Sequence, residues 1–216
     1  PDYDEPSEQW RRIDDDWMGS ASDLALQLDS LTNNTSLALA IERVSDGKVL
    51  LFPADAQQGN WLSWHDAGLQ WKPADGHSVR AADLLARIVF YKVGHHGSHN
   101  ATASAKGLEL MNSAKDLVAF VPVDRAVALT RHPKGSWRMP ARALYRRLLE
   151  RCEGRVLRSD IGWAGDAAKA ARKATEKEFA GLASAAEWKA WGAAQRKAEK
   201  AGRVVVAPKW VDWLLE

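Results

Sequence analysis

Cysteine is almost absent from this chain of 216 residues, in which Cys152 is the only one. A single cysteine cannot form an intrachain disulfide, and it excludes a cysteine-rich zinc or iron–sulfur site. Cys152 lies in the amphipathic stretch LYRRLLERCEG with no histidine near it in the sequence, which indicates a structural role. Reactive chemistry must therefore come from other side chains.

Long hydrophobic runs are missing as well. No stretch approaches the roughly 18 uninterrupted apolar residues of a membrane-spanning helix, and no basic, then apolar leader opens the chain. We therefore expect a cytoplasmic protein with no membrane partner. The charges are balanced, with 30 Lys and Arg against 28 Asp and Glu, so net charge gives no argument for a nucleic-acid partner either.

Apolar side chains are present in sufficient number, 46% of the total, to form one core of ordinary size. Tryptophan occurs 11 times, well above its usual share. The sequence starts at Pro1 rather than at Met. We therefore expect a processed, truncated or split part of a longer protein.

Apolar runs alternate with helical patterns along the first three quarters of the chain. The run 36–44, the turn 45–48 (SDGK) and the run 49–55 predict a β-hairpin, because an Asp-Gly pair between two β-rich runs is typical of one. Further strands are predicted at 88–93, 118–123 and 155–160, and helices at 81–87, 103–114 and 140–151. This alternation predicts an α/β layered fold.

The composition changes at residue 164, which suggests a division into three segments. These are an N-terminal connecting segment at 1–32, a main domain at 33–163 and an extension at 164–216. The extension is rich in Ala, Lys and Glu, and it predicts one or two surface helices broken near Gly181. The apolar chain end predicts a terminal strand that docks on the body.

Three of the six histidines lie within five residues of one another. His95, His96 and His99 directly follow the predicted strand that ends at position 93, where α/β proteins place ligand-binding loops. Gly94 and Gly97 allow the tight backbone that such a cluster needs. The alternative is that these are surface loop histidines.

Asp55 has an equivalent position, at the end of the apolar run 49–55. One alternative is that its carboxylate caps the next helix. A carboxylate and imidazoles at neighbouring strand ends are, however, ligands suited to Zn²⁺, Mn²⁺ or iron. We therefore predict a metal site with Asp55, His95 and His96 as its candidate ligands.

His132 lies in the basic loop LTRHPKGSWRMP, just beyond another apolar run. If the strand order brings it to the same edge, His132 can stabilise an oxyanion or protonate a leaving group. The neighbouring Arg131, Lys134 and Arg138 would make this corner positive, which suits a phosphate. The alternative is a solvated basic loop.

Five segments between residues 33 and 161 resemble, in order, the C-terminal half of a metallo-β-lactamase-fold hydrolase. They are NNTSLALAIE, GKVLLFPADAQQGNW, YKVGHHGSHNAT, VALTRHPKGSWRMPARALYRRLLE and VLRSD. The branch they resemble is typified by the metal-dependent domain of ComEC-type DNA-uptake proteins. The resemblance implies half of an αββα sandwich and a strand before His132, and the segment 164–216 adds a C-terminal helical extension.

The resemblance also implies roles for the candidate ligands. Asp55 matches the Asp that bridges two metals in this superfamily, although Ala54 stands where glycine is usual. His95 and His96 match the pair that contains the last metal-ligating histidine, without showing which of the two binds. The implied cofactor is Zn²⁺, two ions per site, with Mn²⁺ as the alternative.

The implied function is metal-dependent hydrolysis of a phosphodiester, of the kind a nuclease performs, by hydroxide formed from a shared water. Asp55 and His132 would be the catalytic residues, since His132 matches the histidine of a His-Pro motif and would act on the departing oxygen. Asp160 matches a terminal Asp of the pattern. The substrate expected from this branch is a nucleic acid or another phosphodiester. A lactam or thioester substrate stays open, because this fold hosts many chemistries.

The main metal motif of the superfamily, His-x-His-x-Asp-His, belongs to the N-terminal half and does not occur in this chain. We therefore expect a partner, the N-terminal half, from the same precursor or from a separate chain. This partner would supply most of the metal ligands. It would also cover the face of the sheet that a half-domain leaves exposed.

Two other functions stay open. A degenerate metallo-β-lactamase-fold module without catalysis would act in binding or as a scaffold, and Ala54 in place of glycine supports it. A nucleic-acid binder would use the Lys- and Arg-rich helix at 169–203. Acidic residues interrupt that helix and indicate a solvated face; they are Glu176, Glu178, Glu187 and Glu199.

Overall fold

The computed structural model describes residues 33, 35–72, 76, 78–111, 115–130, 137–161, 165–207 and 210–214. The backbone divides into two units, 1–35 and 36–216. All strands and helices with described bounds belong to the second unit. The predicted connecting segment at 1–32 lies outside the described residues.

Five strands form one mixed sheet in the described part of the chain. Their order is β1 (Leu39–Glu42), β2 (Val49–Phe52), β3 (Ile88–Lys92), β4 (Val118–Val121) and β5 (Val156–Arg158). β1 pairs with β2 in the antiparallel direction, and β2 to β5 run parallel to one another. Helices occur between the parallel strands, which confirms the predicted α/β class.

Six α-helices and a second, two-stranded sheet complete the described part of this unit. The helices are α1 (Gln58–Ser63), α2 (Ala81–Ala86), α3 (Arg125–Thr130), α4 (Arg142–Arg151), α5 (Gly165–Glu178) and α6 (Ala185–Lys200). At the chain end, β6 (Val204–Ala207) and β7 (Trp210–Trp213) pair as an antiparallel hairpin. None of the described helices has both the length and the apolar character needed to cross a membrane.

The β1–β2 hairpin confirms the prediction made from its Asp-Gly turn. Ile41 pairs with Leu50, and the Gly47 N–H donates to the Arg43 carbonyl at 2.8 Å. Gly47 has a φ of +70°, which glycine adopts without strain. A hydrogen bond from the Arg43 guanidinium to the Asp46 carboxylate fixes the turn and lowers the pKa of Asp46 to about 2.

The break between α5 and α6 was also predicted correctly, near Gly181. The backbone there has a φ of +74°, which ends the first helix. The second helix begins with a capping box, in which the Ser184 hydroxyl accepts from the Glu187 N–H and the Glu187 carboxylate accepts from the Ser184 N–H.

The predicted helix at 103–114 is wrong. Its described part contains turns and one short 3₁₀ helix, Leu108–Leu110. The reason is tertiary packing at Gly107, where an added Cβ would lie 2.8 Å from the ring of Trp61. The close contact with this buried tryptophan determines the backbone conformation here and outweighs the local preference for a helix.

The strand implied before His132 is also wrong, because the described residues there form α3. The Asp124 carboxylate accepts a hydrogen bond from the Val127 N–H at 3.0 Å, inside the first turn of this helix. Such a side-chain acceptor satisfies one of the free N–H groups at a helix start. A local cap therefore outweighs the apolar character of the run.

One face of the sheet is covered by helices. Leu51, Tyr91 and Val121 from three adjacent strands belong to the main hydrophobic core. Leu85 of α2 and Leu148 of α4 belong to the same core. Removal of these side chains from water provides the main favourable free energy for this layer.

The opposite face is apolar too, but it is only partly covered. Phe52, Phe90 and Phe120 are partly buried there, and the ring centroids of the first two lie 5.6 Å apart. We call these three residues the phenylalanine face. The register with Phe52 places Leu39 of β1 on the same face, where Leu39 and Ile41 are 45% and 51% exposed.

The C-terminal helices complete the main core. Phe179 is fully buried, and its ring centroid lies 4.6 Å from that of Tyr145 in α4. Trp191 of α6 packs on Gly154, where an added Cβ would lie 2.5 Å from the Trp191 Cβ. The Gln195 side chain donates to the Gly154 carbonyl at 2.6 Å. α6 and the segment between the two helices, which carries Phe179, therefore share one core with the sheet.

Replacing Phe179 by alanine is expected to lower the free energy of unfolding by about 3–5 kcal/mol, because it leaves a cavity in a filled core. Urea unfolding followed by circular dichroism measures this. The matched control is Val127→Ala on the exposed side of α3, which should change stability by no more than about 0.5 kcal/mol. Equal unfolding midpoints for the two variants would show that the C-terminal helices lie outside the core.

Candidate functional site

Neighbouring strand ends bring Asp55 and His95 together. The His95 N–H donates a hydrogen bond to the Ala54 carbonyl at 3.2 Å, just beyond the carboxyl ends of β2 and β3. With standard peptide dimensions, this bond places the Cα atoms of Asp55 and His95 within about 8 Å of each other. The two residues therefore lie at the same edge of the sheet, as their positions in the sequence predict.

The backbone of this edge has an unusual concentration of left-handed residues. Ala54, His95 and His96 have φ values of +49°, +44° and +51°, and Gly97 has +74°. A residue other than glycine adopts this conformation at a cost of about 1–2 kcal/mol. Such strain concentrates at binding and catalytic sites, because surrounding contacts must hold it there.

Gly94 and Gly97 hold the histidine pair in this conformation. An added Cβ at Gly94 would lie 2.6 Å from the Ala54 carbonyl oxygen, so only glycine lets the two strand ends approach this closely. An added Cβ at Gly97 would lie 2.9 Å from the Pro140 Cβ. The prediction that these glycines permit a tight loop around the histidines is confirmed.

His96 is exposed, and one partner fixes its ring. Its Nδ1 lies 2.7 Å from the Pro122 carbonyl oxygen, which follows β4. A carbonyl only accepts hydrogen bonds, so Nδ1 carries the proton and Nε2 of the neutral ring has a free lone pair. In histidines that ligate metals or act as bases, one ring nitrogen is usually held by such a hydrogen bond while the other is used in the reaction or the coordination.

His95 is partly buried, and its Nδ1 atom is fully buried with no hydrogen-bond partner among the described residues. A buried polar atom without a partner costs about 1–3 kcal/mol, and native structures contain few of them. A ligand that binds at this nitrogen would remove the cost. His95 thus has the property expected of a ligand to a bound ion.

Asp55 does not cap the next helix, so that alternative is wrong. The N-terminal residue of α1 is preceded by Gln57, whose N–H is bonded to the Asn60 side chain at 2.9 Å. Asp55 is partly buried, and its own N–H donates to the Ser36 hydroxyl at 3.2 Å. Among the described residues its carboxylate has no ion pair. It is therefore available as a ligand.

The other candidates are placed differently. His99 is exposed in the turn after the histidine pair. Asp160 is at the end of β5, but the Arg158 guanidinium donates to both of its carboxylate oxygens, at 2.9 and 2.7 Å. Arg138 is exposed. His132, with Arg131 and Lys134, lies outside the described residues.

Two contacts at this edge have no signal in the sequence. The Pro122 carbonyl orients His96, and the Ser36 hydroxyl binds the backbone beside Asp55. A carbonyl group belongs to every residue, and a serine in a polar stretch is common. Only the register of the strands identifies them.

The described residues contain no group of three or more His, Cys, Asp and Glu side chains arranged to hold a metal ion. Zinc in a catalytic site takes three protein ligands, and structural zinc takes four. Asp55, His95 and His96 alone therefore do not form a complete ligand set among the described residues. Among the same residues, the buried Nδ1 of His95 has no hydrogen-bond partner.

No protein-family model matches this chain, and no curated protein or solved structure is found to be similar to it. The resemblance to metallo-β-lactamase-fold hydrolases therefore depends on the sequence segments quoted above. The geometry of the strand ends is an independent observation.

Ala54→Gly tests the strain at the edge. The variant should raise the free energy of unfolding by up to about 1 kcal/mol, because relief of the left-handed strain outweighs the greater freedom of glycine in the unfolded chain. Urea unfolding measures the change. Ala40→Gly, in the exposed part of β1, is the matched control and should lower stability by about 0.5–1 kcal/mol. An equal loss in both variants would show that Ala54 is unstrained.

Proposed function

We propose that this chain is the C-terminal half of a metal-dependent hydrolase with the metallo-β-lactamase fold, of the ComEC-like branch. The observation that supports this best is the contact between strand ends, in which the His95 N–H binds the Ala54 carbonyl next to Asp55. This bond brings Asp55, whose carboxylate has no ion pair among the described residues, next to His95, whose buried Nδ1 has no hydrogen-bond partner among them. The same combination of residues is the one that the resemblance assigns to the metal site.

The half-sandwich part of the proposal is supported by the phenylalanine face. Helices cover the other face of the sheet. On this side Leu39 and Ile41 of β1 stay about half exposed, although Val118 and Leu157 beside Phe90 and Phe120 are buried. An apolar sheet face of this kind needs an opposing layer. The second sheet of an αββα sandwich would provide it. The N-terminal half, as a partner from the same precursor or from a separate chain, would contribute this sheet and the remaining ligands.

The residues present fit a divalent ion such as Zn²⁺ or Mn²⁺. Asp55 and His95 or His96 would hold it, and a bound ion would supply Lewis acidity and a water of lowered pKa. The hydrogen bond from His96 Nδ1 to the Pro122 carbonyl keeps its ring in one orientation. The strained backbone at Ala54 and His95 fixes the two strand ends before any ligand arrives.

A phosphodiester is the substrate class that the surrounding charges favour. Arg138 is exposed, and it lies three residues before Ala141, whose N–H donates to the Gly97 carbonyl at 2.7 Å. Guanidinium groups bind phosphate oxygens well. His132, a few residues before Arg138 in the chain, would protonate or stabilise the departing oxygen.

The alternative is a degenerate module that binds or acts as a scaffold without catalysis. Two observations favour it: the described residues contain no three-ligand group, and Ala54 occupies a left-handed position. In this alternative the strained edge would be a remnant of a metal site. The two functions differ in whether the strand ends bind metal.

Zinc titration of the full chain, followed by the ring NMR signals of its histidines, tests the proposal. Zn²⁺ should shift the signals of His95 and His96. His65 is the matched control, because its ring is bonded to the Lys106 carbonyl as that of His96 is bonded to the Pro122 carbonyl, but it is no part of the strand-end site. Its signal should therefore stay unchanged. Asp55→Asn should weaken zinc binding by at least about tenfold, which corresponds to about 1.4 kcal/mol, while His99→Ala should leave it unchanged.

The same titration can contradict the proposal. Equal zinc affinity in wild type and Asp55→Asn, or no response of either histidine, would favour the scaffold alternative. In the assembly with the N-terminal half, about two bound metals and hydrolysis of bis(p-nitrophenyl) phosphate are expected. An assembly that binds no metal would exclude the hydrolase.

A further inference from the structure

A cavity of about 440 Å³ lies beside the edge strand β1. Among the residues that line it, Leu51 of β2, Leu85 of α2 and Ile88 at the start of β3 belong to the main hydrophobic core. Ala40 and Trp71 also line it and are exposed, so the cavity opens to solvent. Sites for small molecules usually have volumes of about 300–1,000 Å³ and mostly apolar walls. This cavity has both properties.

The cavity exists because the edge strand carries small side chains on its inner face. Ala40 is paired with Leu51 in the register, so the two side chains lie on the same face of the sheet. Ala38, two residues earlier, also lines the cavity, as the alternation of side chains along an extended chain requires. Larger aliphatic side chains here would extend towards α2, whereas two methyl groups leave the space unfilled.

Two tryptophans that line the cavity are held by neighbouring groups. The Trp71 N–H donates to the carbonyl of the buried Val79 at 2.9 Å, and the Trp71 carbonyl accepts from the Val79 N–H at 2.8 Å. The ring centroid of Trp64 lies 4.7 Å from that of the buried Trp61. Aromatic side chains held in this way can contact an aromatic ligand at little cost in ordering.

The charged residues that line the cavity favour an anion. The Glu42 carboxylate accepts two hydrogen bonds from the Arg87 guanidinium, at 2.5 and 3.4 Å, so its charge is compensated. Lys72 also lines the cavity and is exposed, and it has no ion pair among the described residues. The uncompensated charge at the cavity is therefore positive, which is complementary to a carboxylate.

We propose that this cavity binds a small aromatic carboxylate, with its ring against Trp64 and Trp71 and its carboxylate at Lys72. The site is separate from the candidate metal site. Ile88 is the first residue of β3, whereas His95 follows the other end of this strand, about 13 Å away. The inference therefore does not depend on the proposed hydrolase function.

Titration of the full chain with 2-naphthoate, followed by calorimetry and by the indole N–H NMR signals, tests the proposal. Saturable binding at one site should shift the signals of Trp64 and Trp71. Trp137 is the internal control, because it is 48% exposed but does not line the cavity, and its signal should stay unchanged. No saturation at millimolar 2-naphthoate, or equal shifts at Trp137, would overturn the proposal.

Ala40→Leu fills the cavity from the edge strand and should weaken 2-naphthoate binding by at least about tenfold, because the ligand and the new side chain need the same space. The exposed position lets the variant fold, which circular dichroism verifies. The matched control is Ile41→Val, on the opposite face of the same strand, and it should bind as wild type does. Equal affinity in wild type and Ala40→Leu would contradict the proposal.

Lys72→Met tests the charge. This variant should weaken 2-naphthoate binding by about three- to fivefold, as expected for an exposed ion pair, and should leave binding of the neutral 2-naphthylmethanol unchanged. Lys115→Met, another exposed change, is the control and should affect neither ligand. Tighter binding of the cationic 2-naphthylmethylamine than of 2-naphthoate in wild type would show that the site does not select anions, and the proposal would be wrong.

Two further outcomes identify a different occupant or a different site. If wild type self-associates in sedimentation, Ala40→Leu does not, and 2-naphthoate has no effect, the cavity binds a second copy of the chain and the proposal is wrong. If 2-naphthoate shifts only the ring signals of His95 and His96, the anion binds at the strand ends, which also overturns it. Shifts at Trp64 and Trp71 in a chain that gives no zinc response would support this site while the hydrolase proposal fails.

Discussion

One backbone hydrogen bond, from the His95 N–H to the Ala54 carbonyl, determines what this edge of the sheet can do. It exists because β2 and β3 are parallel neighbours in which Leu51 is paired with Tyr91. Asp55 and His95, each four residues further along the chain, therefore lie at the same edge of the sheet. Without this contact the carboxylate of Asp55 and the imidazoles would be unrelated loop residues. With this contact the edge has a fixed geometry. The packing of the sheet next to it stabilises the strained backbone.

Much of the sheet could be predicted because the inner strands β2, β3 and β4 are nearly continuous apolar runs, which are typical of inner strands of a parallel sheet. The Asp46-Gly47 turn and the break at Gly181 were predictable because glycine and turn residues act locally. The errors at 103–114 and before His132 have different physical origins. Tertiary packing of Gly107 against Trp61 prevents the helix that the local pattern favours. A local side-chain cap from Asp124 starts a helix where the apolar run favours a strand.

The sequence predicts which residues form the candidate site, but not the contacts that make them suitable as ligands. Position at a strand end selects Asp55, His95 and His96, because parallel strands end at a common edge. The properties that suit them to a ligand come from elsewhere. The lone pair on His96 depends on the Pro122 carbonyl, and the buried nitrogen of His95 depends on a left-handed backbone. The ion pair between Arg158 and Glu178 spans 20 residues and leaves no local pattern.

The shared core has a consequence for cleavage of the chain between β5 and α5. Phe179 and Trp191 are buried among side chains of the sheet layer. The Arg158 guanidinium also donates a hydrogen bond to Glu178 across the same boundary. A protease that cuts the connector would therefore yield two fragments that stay associated and migrate as one particle. Separating them would require a denaturant, because the two fragments would share one packed hydrophobic core.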